Sequence, residues 1–291
     1  MPLNILVTLD AHYLRPLKTM LWSLFFNNPG ERFHLYLMHA SIPREERERL
    51  AAFVAGNGHE FSEIRVPNGF FNGAPVLLHY SKEMYFRLVA HAFLPPELER
   101  ILYLDPDILV INPVRELYET DLKNSLFAAC YHNSVPVKYI NRLRLGASGM
   151  QAYFNSGVLL MNLPLCRERV SLEEINAYVA EYKNWLILPD QDVLNALYGA
   201  SIKNIPEIRY NYDARFYRYY KLRSGGKIDM DYIMRNTSLL HFCGKHKPWH
   251  EDYSGKFHAL YGHYKALSER RETVFPSERT SPGRREPALR G

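Results

Sequence analysis

Short apolar runs alternate with amphipathic segments along the first hundred residues. The runs read as strands, because they are brief and rich in aliphatic residues, whereas the longer segments repeat apolar positions at helical spacing. The pattern predicts strands at 3–9, 33–38, 61–66 and 101–104, and helices at 15–28, 43–54 and 82–93. This alternation indicates an α/β protein with a mainly parallel sheet covered by helices.

The second half of the chain is less regular. We predict strands at 127–131, 156–162 and 238–240, and helices at 172–184, 191–198 and 255–267. Beyond residue 268 the charge and the proline and glycine content rise while apolar residues become rare, so we expect a disordered basic tail over 268–291. The length alone allows either one large domain or two small ones.

Composition narrows the function classes. With 47% hydrophobic and 23% charged residues, the chain is typical of a globular protein, and we find no apolar run long enough to span a bilayer. We see no secretory signal, and three widely spaced cysteines favour a reducing compartment, so we expect a cytoplasmic protein. The net charge of +5 suits an anionic small molecule or transient contact with an anionic membrane, and we expect no nucleic-acid partner.

Two carboxylates follow the strand at 101–104. Side chains two apart on an extended chain point to one side, so Asp105 and Asp107 are expected to lie together, and Pro106 stiffens the connection between them. Two such charges repel unless a cation lies between them, and oxygen ligands suit Mg²⁺ or Mn²⁺. The pair alone is a weak signal for a metal, because surface turns also use aspartate for local hydrogen bonds.

A histidine near the end of the chain could complete this site. An imidazole from His241, at the end of a late strand, would move the preference from Mg²⁺ toward Mn²⁺. Gly244 permits close approach of backbone to a phosphate, and Lys247 could neutralise one. Taken singly, His241 is also compatible with a hydrogen-bonded, partly buried histidine and Lys247 with a solvated lysine.

Two more polar segments have ordinary explanations when taken alone. Asn155 and Ser156 precede an apolar run and are consistent with a turn that enters a buried strand. Asp190, Gln191 and Asp192 follow a proline, as in a helix that begins with a capping aspartate and an acidic first turn.

Four segments occur in one order at consistent spacing, namely 104–107, 155–162, 190–192 and 241–249. Together they resemble family 8 of the glycosyltransferases, retaining enzymes that include bacterial lipooligosaccharide galactosyl- and glucosyltransferases. The resemblance implies a GT-A fold, which is a Rossmann-like nucleotide-sugar-binding domain with a mixed, mainly parallel sheet, here over residues 1–267. It also implies a UDP-hexose donor, Mn²⁺ with Mg²⁺ as the alternative, and a glycan or glycolipid acceptor at the cytoplasmic membrane face.

The resemblance also implies roles for individual residues. It assigns the uracil site to Thr8, Leu9, Asp10 and Tyr13, with Asp10 accepting from the base N3–H and Tyr13 stacking on the ring. It assigns the metal to Asp105, Asp107 and His241, and the diphosphate to Gly244 and Lys247.

The implied catalytic residues are Arg87, Asp190 and Gln191, which surround the donor sugar together with Asn155 and Ser156. Gln191 would face the anomeric carbon, and we favour front-face attack because an amide is a poor nucleophile. A double displacement through Asp190 is the alternative.

Two positions depart from the family pattern. His12 stands where the pattern has asparagine, and His132 where some galactosyltransferases place an aspartate that binds the acceptor. The acceptor is therefore open, and the tyrosine- and arginine-rich stretch 209–220 is consistent either with an acceptor surface or with a packed connection. Two other functions stay open: a self-glycosylating primer of the glycogenin type, and a non-catalytic nucleotide-sugar binding module.

Overall fold

A computed structural model describes residues 1–67, 82–131, 141, 144–146 and 152–274. The first half contains the strands β1 (Leu3–Thr8), β2 (Phe33–His39), β3 (Glu60–Arg65), β4 (Arg100–Leu104), β5 (Ile108–Val110) and β6 (Phe127–Ala129). Its helices are α1 (Leu14–Phe26), α2 (Arg44–Gly56), α3 (Phe86–Val89) and α4 (Arg115–Tyr118). The predicted helix at 82–93 is instead the short α3 between two 3-10 turns, Lys82–Tyr85 and Ala90–Ala92.

The second half adds the strands β7 (Val158–Asn162), β8 (Ile202–Asn204), β9 (Tyr212–Asp213) and β10 (Leu239–His241). Its helices are α5 (Leu163–Arg169), α6 (Leu172–Tyr182), α7 (Pro189–Tyr198), α8 (Glu207–Tyr210), α9 (Tyr217–Arg223), α10 (Met230–Asn236) and α11 (His258–Val274). Because α11 continues to Val274, the predicted tail boundary at 268 is too early. The rest of that tail, 275–291, lies outside the described residues.

A seven-stranded sheet has the order β3-β2-β1-β4-β7-β6-β8. Every neighbouring pair is parallel except the two that involve β7, which runs antiparallel to β4 and β6. The predicted mixed, mainly parallel sheet is confirmed. Since β7 runs in the opposite direction, its first residues meet the carboxyl end of β4, and Leu104 pairs with Val158.

Both faces of this sheet are buried, which explains why its central strands are continuous apolar runs. On β4, Tyr103 packs into one core and Leu102 and Leu104 into the other, as the two-residue period of a strand requires. A third core covers a small sheet of order β5-β10-β9. Among the described helices, none has the length and apolarity needed to cross a bilayer.

Candidate functional site

The carboxyl ends of β1 and β4 lie side by side and form the floor of an open cleft. In a sheet of this kind, ligands bind beyond these ends, where the strand order changes direction. Eight predicted site residues line the cleft: Thr8, Leu9, Asp10, Tyr13, Arg87, Asp105, Asp107 and Lys247. Glu83, Met84 and Pro106 complete the lining, and neither Glu83 nor Met84 was singled out from the sequence.

The structure brings the three predicted metal ligands together. One ligand atom from each of Asp105, Asp107 and His241 can be chosen so that all lie within 4.8 Å of one another. The small sheet explains this, since β5 continues the chain just after the aspartates and pairs with β10, where Ile108 lies opposite His241. Among the described residues this is the one cluster of its kind.

One carboxylate oxygen of Asp105 is held by neighbouring donors, and the other points toward the imidazole of His241. Its Oδ1 accepts from the Tyr103 hydroxyl at 2.5 Å and lies 2.9 Å from Arg87 Nη1. Its Oδ2 lies 3.7 Å from His241 Nε2. The ring of Tyr103 also carries the Arg87 guanidinium 4.4 Å above its centre, so a buried strand residue orients both charges.

Asp107 is arranged in the same way. Lys247 donates to its Oδ2, while its Oδ1 lies 3.1 Å from His241 Nε2. This buried Oδ1 has no hydrogen-bond partner in the described part of the chain. Burial opposes ionisation of Asp107, but Lys247 and His241 outweigh it and hold its pKa below the usual range. The ionised carboxylate therefore keeps one oxygen for a further ligand.

The atoms of these three side chains that can still bind a cation are Nε2 of His241 and one oxygen from each carboxylate. Such mixed oxygen and nitrogen donors suit Mn²⁺, and an orphaned buried carboxylate oxygen is otherwise costly. The residues present thus fit a divalent cation.

Gly157 provides the space in which these donors converge. A Cβ at this position would lie 2.4 Å from His241 Cε1 and 2.5 Å from Asp105 Oδ2. Any larger residue would push the imidazole and carboxylate apart. Sequence reasoning did not single out this glycine, although its place before β7 was the available signal.

A chain of side-chain amides orients the imidazole. His241 Nδ1 lies 2.8 Å from Asn211 Oδ1, and Asn211 Nδ2 donates to Asn155 Oδ1 at 2.7 Å. The backbone N–H of Gly157 also donates to Asn155 Oδ1 at 2.9 Å, which identifies that atom as the acceptor. Asn211 must then present its own oxygen to Nδ1. With Nδ1 donating to an amide oxygen, Nε2 is the ring nitrogen that faces the aspartates and would become a ligand on losing its proton as a cation binds. Asn211 was not predicted from the sequence.

Asn155 also reaches the predicted catalytic glutamine. Asn155 Nδ2 donates to Gln191 Oε1 at 3.1 Å, and the backbone N–H of Ser156 donates to the same oxygen at 3.2 Å. Ser156 Oγ donates to Asp190 Oδ2 at 2.9 Å, and Arg87 Nε lies 3.3 Å from that atom. Burial raises the pKa of Asp190, which Arg87 and Ser156 partly offset.

The other predicted residues occupy more peripheral positions. Asp10 accepts from the backbone N–H of His12 at 2.8 Å and caps a 3-10 turn, while His12 itself is exposed. Tyr13 is half-buried and meets the ring of Trp249 edge-on at 6.0 Å.

Gly244 has φ +87°, and a Cβ there would lie 2.8 Å from Arg215 Nη1. His132 lies outside the described residues.

Asp192 differs from its neighbours on α7. It is fully buried, pairs with Arg144 at 2.7 and 2.8 Å, and accepts from the backbone of Ile187 and Leu188 before the helix. The predicted acidic first turn is present, but the predicted capping aspartate is not, because Leu188 precedes the helix and makes no side-chain cap. Asp192 instead accepts from the preceding backbone from within the first turn, and Asp190 faces Arg87 and Ser156.

The aromatic stretch 209–220 divides into two parts. Tyr210, Tyr212 and Tyr220 are buried, as a packed connection requires. Phe216 and Tyr219 are exposed.

Comparison with known proteins supports the fold and the family. The Glycosyl transferase family 8 sequence model matches residues 4–253. General stress protein A of Bacillus subtilis is 25% identical over 276 residues, covering 92% of this chain and 94% of that protein. The lipopolysaccharide 1,2-glucosyltransferase of Escherichia coli K12 is 27% identical, over 86% of this chain and 73% of that enzyme.

A crystal structure of the galactosyltransferase LgtC, in complex with donor and acceptor sugar analogs, has the same fold. It superposes with a TM-score of 0.79 at 24% identity, covering 91% of this chain and 96% of that one. The predicted GT-A architecture is confirmed.

Proposed function

Because the chain belongs to glycosyl transferase family 8, as its motifs predicted, and is a glycosyltransferase, we propose that it transfers galactose or glucose from UDP-hexose to a glycan or glycolipid acceptor. The observation that carries the proposal is the convergence of Asp105, Asp107 and His241 beside the cleft at the ends of β1 and β4. The similarity to lipopolysaccharide gluco- and galactosyltransferases supports a hexose donor and a glycolipid acceptor.

The nucleotide end of the donor is assigned to the segment after β1. Tyr13 presents a ring for stacking and Asp10 a carboxylate for the base N3–H, and both line the cleft with Thr8 and Leu9. These groups and the aspartate pair line the same cleft, so one nucleoside diphosphate can contact both of them.

Asp105, Asp107 and His241 are the residues that would hold Mn²⁺. A bound cation of this kind supplies Lewis-acid stabilisation to the departing diphosphate. Arg87 and Lys247 hold the outer carboxylate oxygens, so the inner oxygens and the imidazole nitrogen stay directed at one point.

Lys247 adds positive charge at the cleft wall, where UDP leaves. Its ammonium is tied to Asp107 and to the backbone carbonyl of Phe242 at 3.0 Å, so its charge is positioned before the donor binds. Charge fixed in advance stabilises the leaving group most when its negative charge is greatest.

The sugar end is assigned to the network around Gln191. Gln191 Oε1 accepts hydrogen bonds from Asn155 Nδ2 and from the backbone N–H of Ser156. These two bonds fix the orientation of the side-chain amide, which carries no charge. We propose retention by front-face attack, in which the β-phosphate oxygen takes the acceptor proton and Gln191 stabilises positive charge on the ring. Asp190 is tied to Arg87 and Ser156 and orients sugar hydroxyls. A trapped, kinetically competent glycosyl adduct on Asp190 would instead support double displacement.

The reaction is proposed for the cytoplasmic face of the membrane that carries the acceptor. All three cysteines are free thiols, which agrees with a reducing compartment.

A panel of UDP-sugars, scored by UDP release with and without Mn²⁺, tests the proposal. We expect release from UDP-galactose or UDP-glucose that a chelator abolishes and Mn²⁺ restores. Undiminished release with the chelator would contradict the assigned site, and no release from any donor would favour a binding module. Intact-mass measurement after incubation with UDP-glucose distinguishes a self-glycosylating primer, because only that protein gains the mass of a hexose.

A further inference from the structure

Exposed apolar side chains lie on α9 and on the 3-10 turn just before it, Ala214–Phe216. Phe216, Tyr219 and Leu222 are 41%, 48% and 83% exposed, and the spacing of three residues places Tyr219 and Leu222 on one side of α9. The rings of Phe216 and Tyr219 meet edge-on at 6.2 Å, so they form a contiguous patch. Leu222 lies three residues from Tyr219 and extends this patch, and a contiguous exposed apolar patch marks a contact surface.

Cations surround these side chains. Residues 214–228 contain Arg215, Arg218, Lys221, Arg223 and Lys227 and no acidic residue. Arg215 is paired with Asp213, whereas Arg218 and Lys221 are exposed and form no ion pair in the described part of the chain. We call Phe216, Arg218, Tyr219, Lys221 and Leu222 the α9 face.

We propose that the α9 face docks on an anionic membrane surface. Aromatic and leucine side chains insert at the level of the lipid headgroups, while neighbouring arginine and lysine side chains neutralise acidic lipids. A glycan would find stacking rings here, but Leu222 offers it neither a flat face nor a hydrogen bond. The combination of apolar tips with unpaired cations therefore favours lipid.

The α9 face lies beside the candidate site. Its helix follows β9, in which Asp213 pairs with His241 on β10. Arg215, between β9 and α9, lies 2.8 Å from the position of a Cβ on Gly244, in the segment that joins His241 to Lys247. Docking through the α9 face would bring the segment that carries His241 and Lys247 close to the bilayer, where a lipid-linked acceptor presents its sugar. This last step rests on the proposed glycolipid acceptor, but the membrane contact itself does not.

Sedimentation of the full-length protein with phosphatidylcholine vesicles, with and without phosphatidylglycerol, tests the proposal in the absence of any sugar donor. We expect binding to the anionic vesicles that falls as salt is raised. Each cation near the surface contributes about fivefold in affinity, so the double variant Arg218→Glu/Lys221→Glu should lose more than tenfold. Leu222→Ser should weaken binding several-fold.

Matched controls come from other parts of the chain. Arg65→Glu/Lys183→Glu makes the same change of charge at two exposed positions that, like Arg218 and Lys221, form no ion pair among the described residues, and Phe26→Ser removes an exposed apolar side chain from α1. Both should bind anionic vesicles nearly as the parent does. All variants should release UDP from the donor at the parental rate, which separates this proposal from the proposed transfer chemistry.

Two results would overturn the proposal. If the α9 variants bind vesicles like the parent, another part of the chain makes the membrane contact. If they bind vesicles normally but raise the KM for a water-soluble acceptor glycan, the α9 face binds the acceptor and not lipid.

Discussion

Asp192 and Asp107 are both buried carboxylates, and they differ in how fully their oxygens are hydrogen-bonded. Asp192 has all of its acceptor capacity used, by two nitrogens of Arg144, the hydroxyl of Tyr153 and two backbone N–H groups. Asp107 has one oxygen bound to Lys247 and the other without a donor among the described residues. Both carboxylates are buried beside a cation, so burial and charge pairing alone do not distinguish them.

This difference in hydrogen bonding distinguishes a carboxylate that supports the fold, Asp192, from one that can bind a ligand, Asp107. A fully bonded carboxylate stabilises the chain around it, because each lost bond would leave a buried polar group unpaired. An oxygen left without a donor costs stability and persists where it serves binding or catalysis. The following variants test whether this distinction holds.

Asp107→Asn should produce the largest effect, which falls on activity. The amide is a weaker metal ligand and lacks the charge, so we expect kcat for UDP release to fall about a thousandfold or more. The melting temperature should fall less than in Asp192→Asn, because Lys247 keeps its contact with the Phe242 carbonyl and Asp107 holds no backbone N–H groups comparable to those bound by Asp192. A variant that keeps near-parental turnover would remove Asp107 from the site.

Asp192→Asn should have the opposite signature. It leaves the partly buried guanidinium of Arg144 without its charged partner and weakens the hydrogen bonds of two backbone N–H groups, which together should cost roughly 2 kcal/mol of unfolding free energy. Chemical denaturation measures this loss. Where the variant is folded, its Mn²⁺ affinity should match that of the parent, and a specific loss of that affinity would show that the two carboxylates are not separable.

Gly157→Ala should weaken cation binding and lower the free energy of unfolding by about 1–3 kcal/mol, because the added methyl group overpacks a buried site. The added methyl group overlaps His241 and Asp105, so we expect a fall in Mn²⁺ affinity of about a hundredfold, measured by calorimetry or by electron paramagnetic resonance. Gly199→Ala is the matched control, because nothing lies within 4 Å of a Cβ at that position. Equal affinities in the two variants would contradict the role of Gly157.

Asn211→Ala should have the smallest of these effects. Loss of the amide oxygen leaves the imidazole of His241 free to rotate and to change tautomer, which we expect to lower Mn²⁺ affinity about tenfold. Nitrogen-15 spectra of labelled histidine would report the tautomer directly, independently of turnover. Asn236→Ala, on the exposed end of α10, is the control and should leave both the spectrum and the affinity unchanged.

The sequence by itself determined most of the sheet and most members of the site. Apolar runs such as 101–104 are local signals, because a strand buried on both faces has no polar positions. The aspartate pair, His241 and Asp190–Gln191 were found from short motifs, and the structure brings them together around Arg87, Asn155 and Ser156.

Only the tertiary structure decided which neighbouring side chains position those site residues. The three-residue strand β5 was too short to recognise, yet its pairing with β10 brings His241 to the aspartates. Gly157 and Asn211 act through contacts with residues far away in the chain, and Tyr103 orients Arg87 on a separate element. The surroundings of all three in the sequence resemble those of ordinary core, turn and loop positions. The separate tasks of Asp190 and Asp192 were also invisible, because the two differ only in which distant cation each side chain meets. A periodic pattern reports burial along one element, whereas these contacts depend on distances between elements.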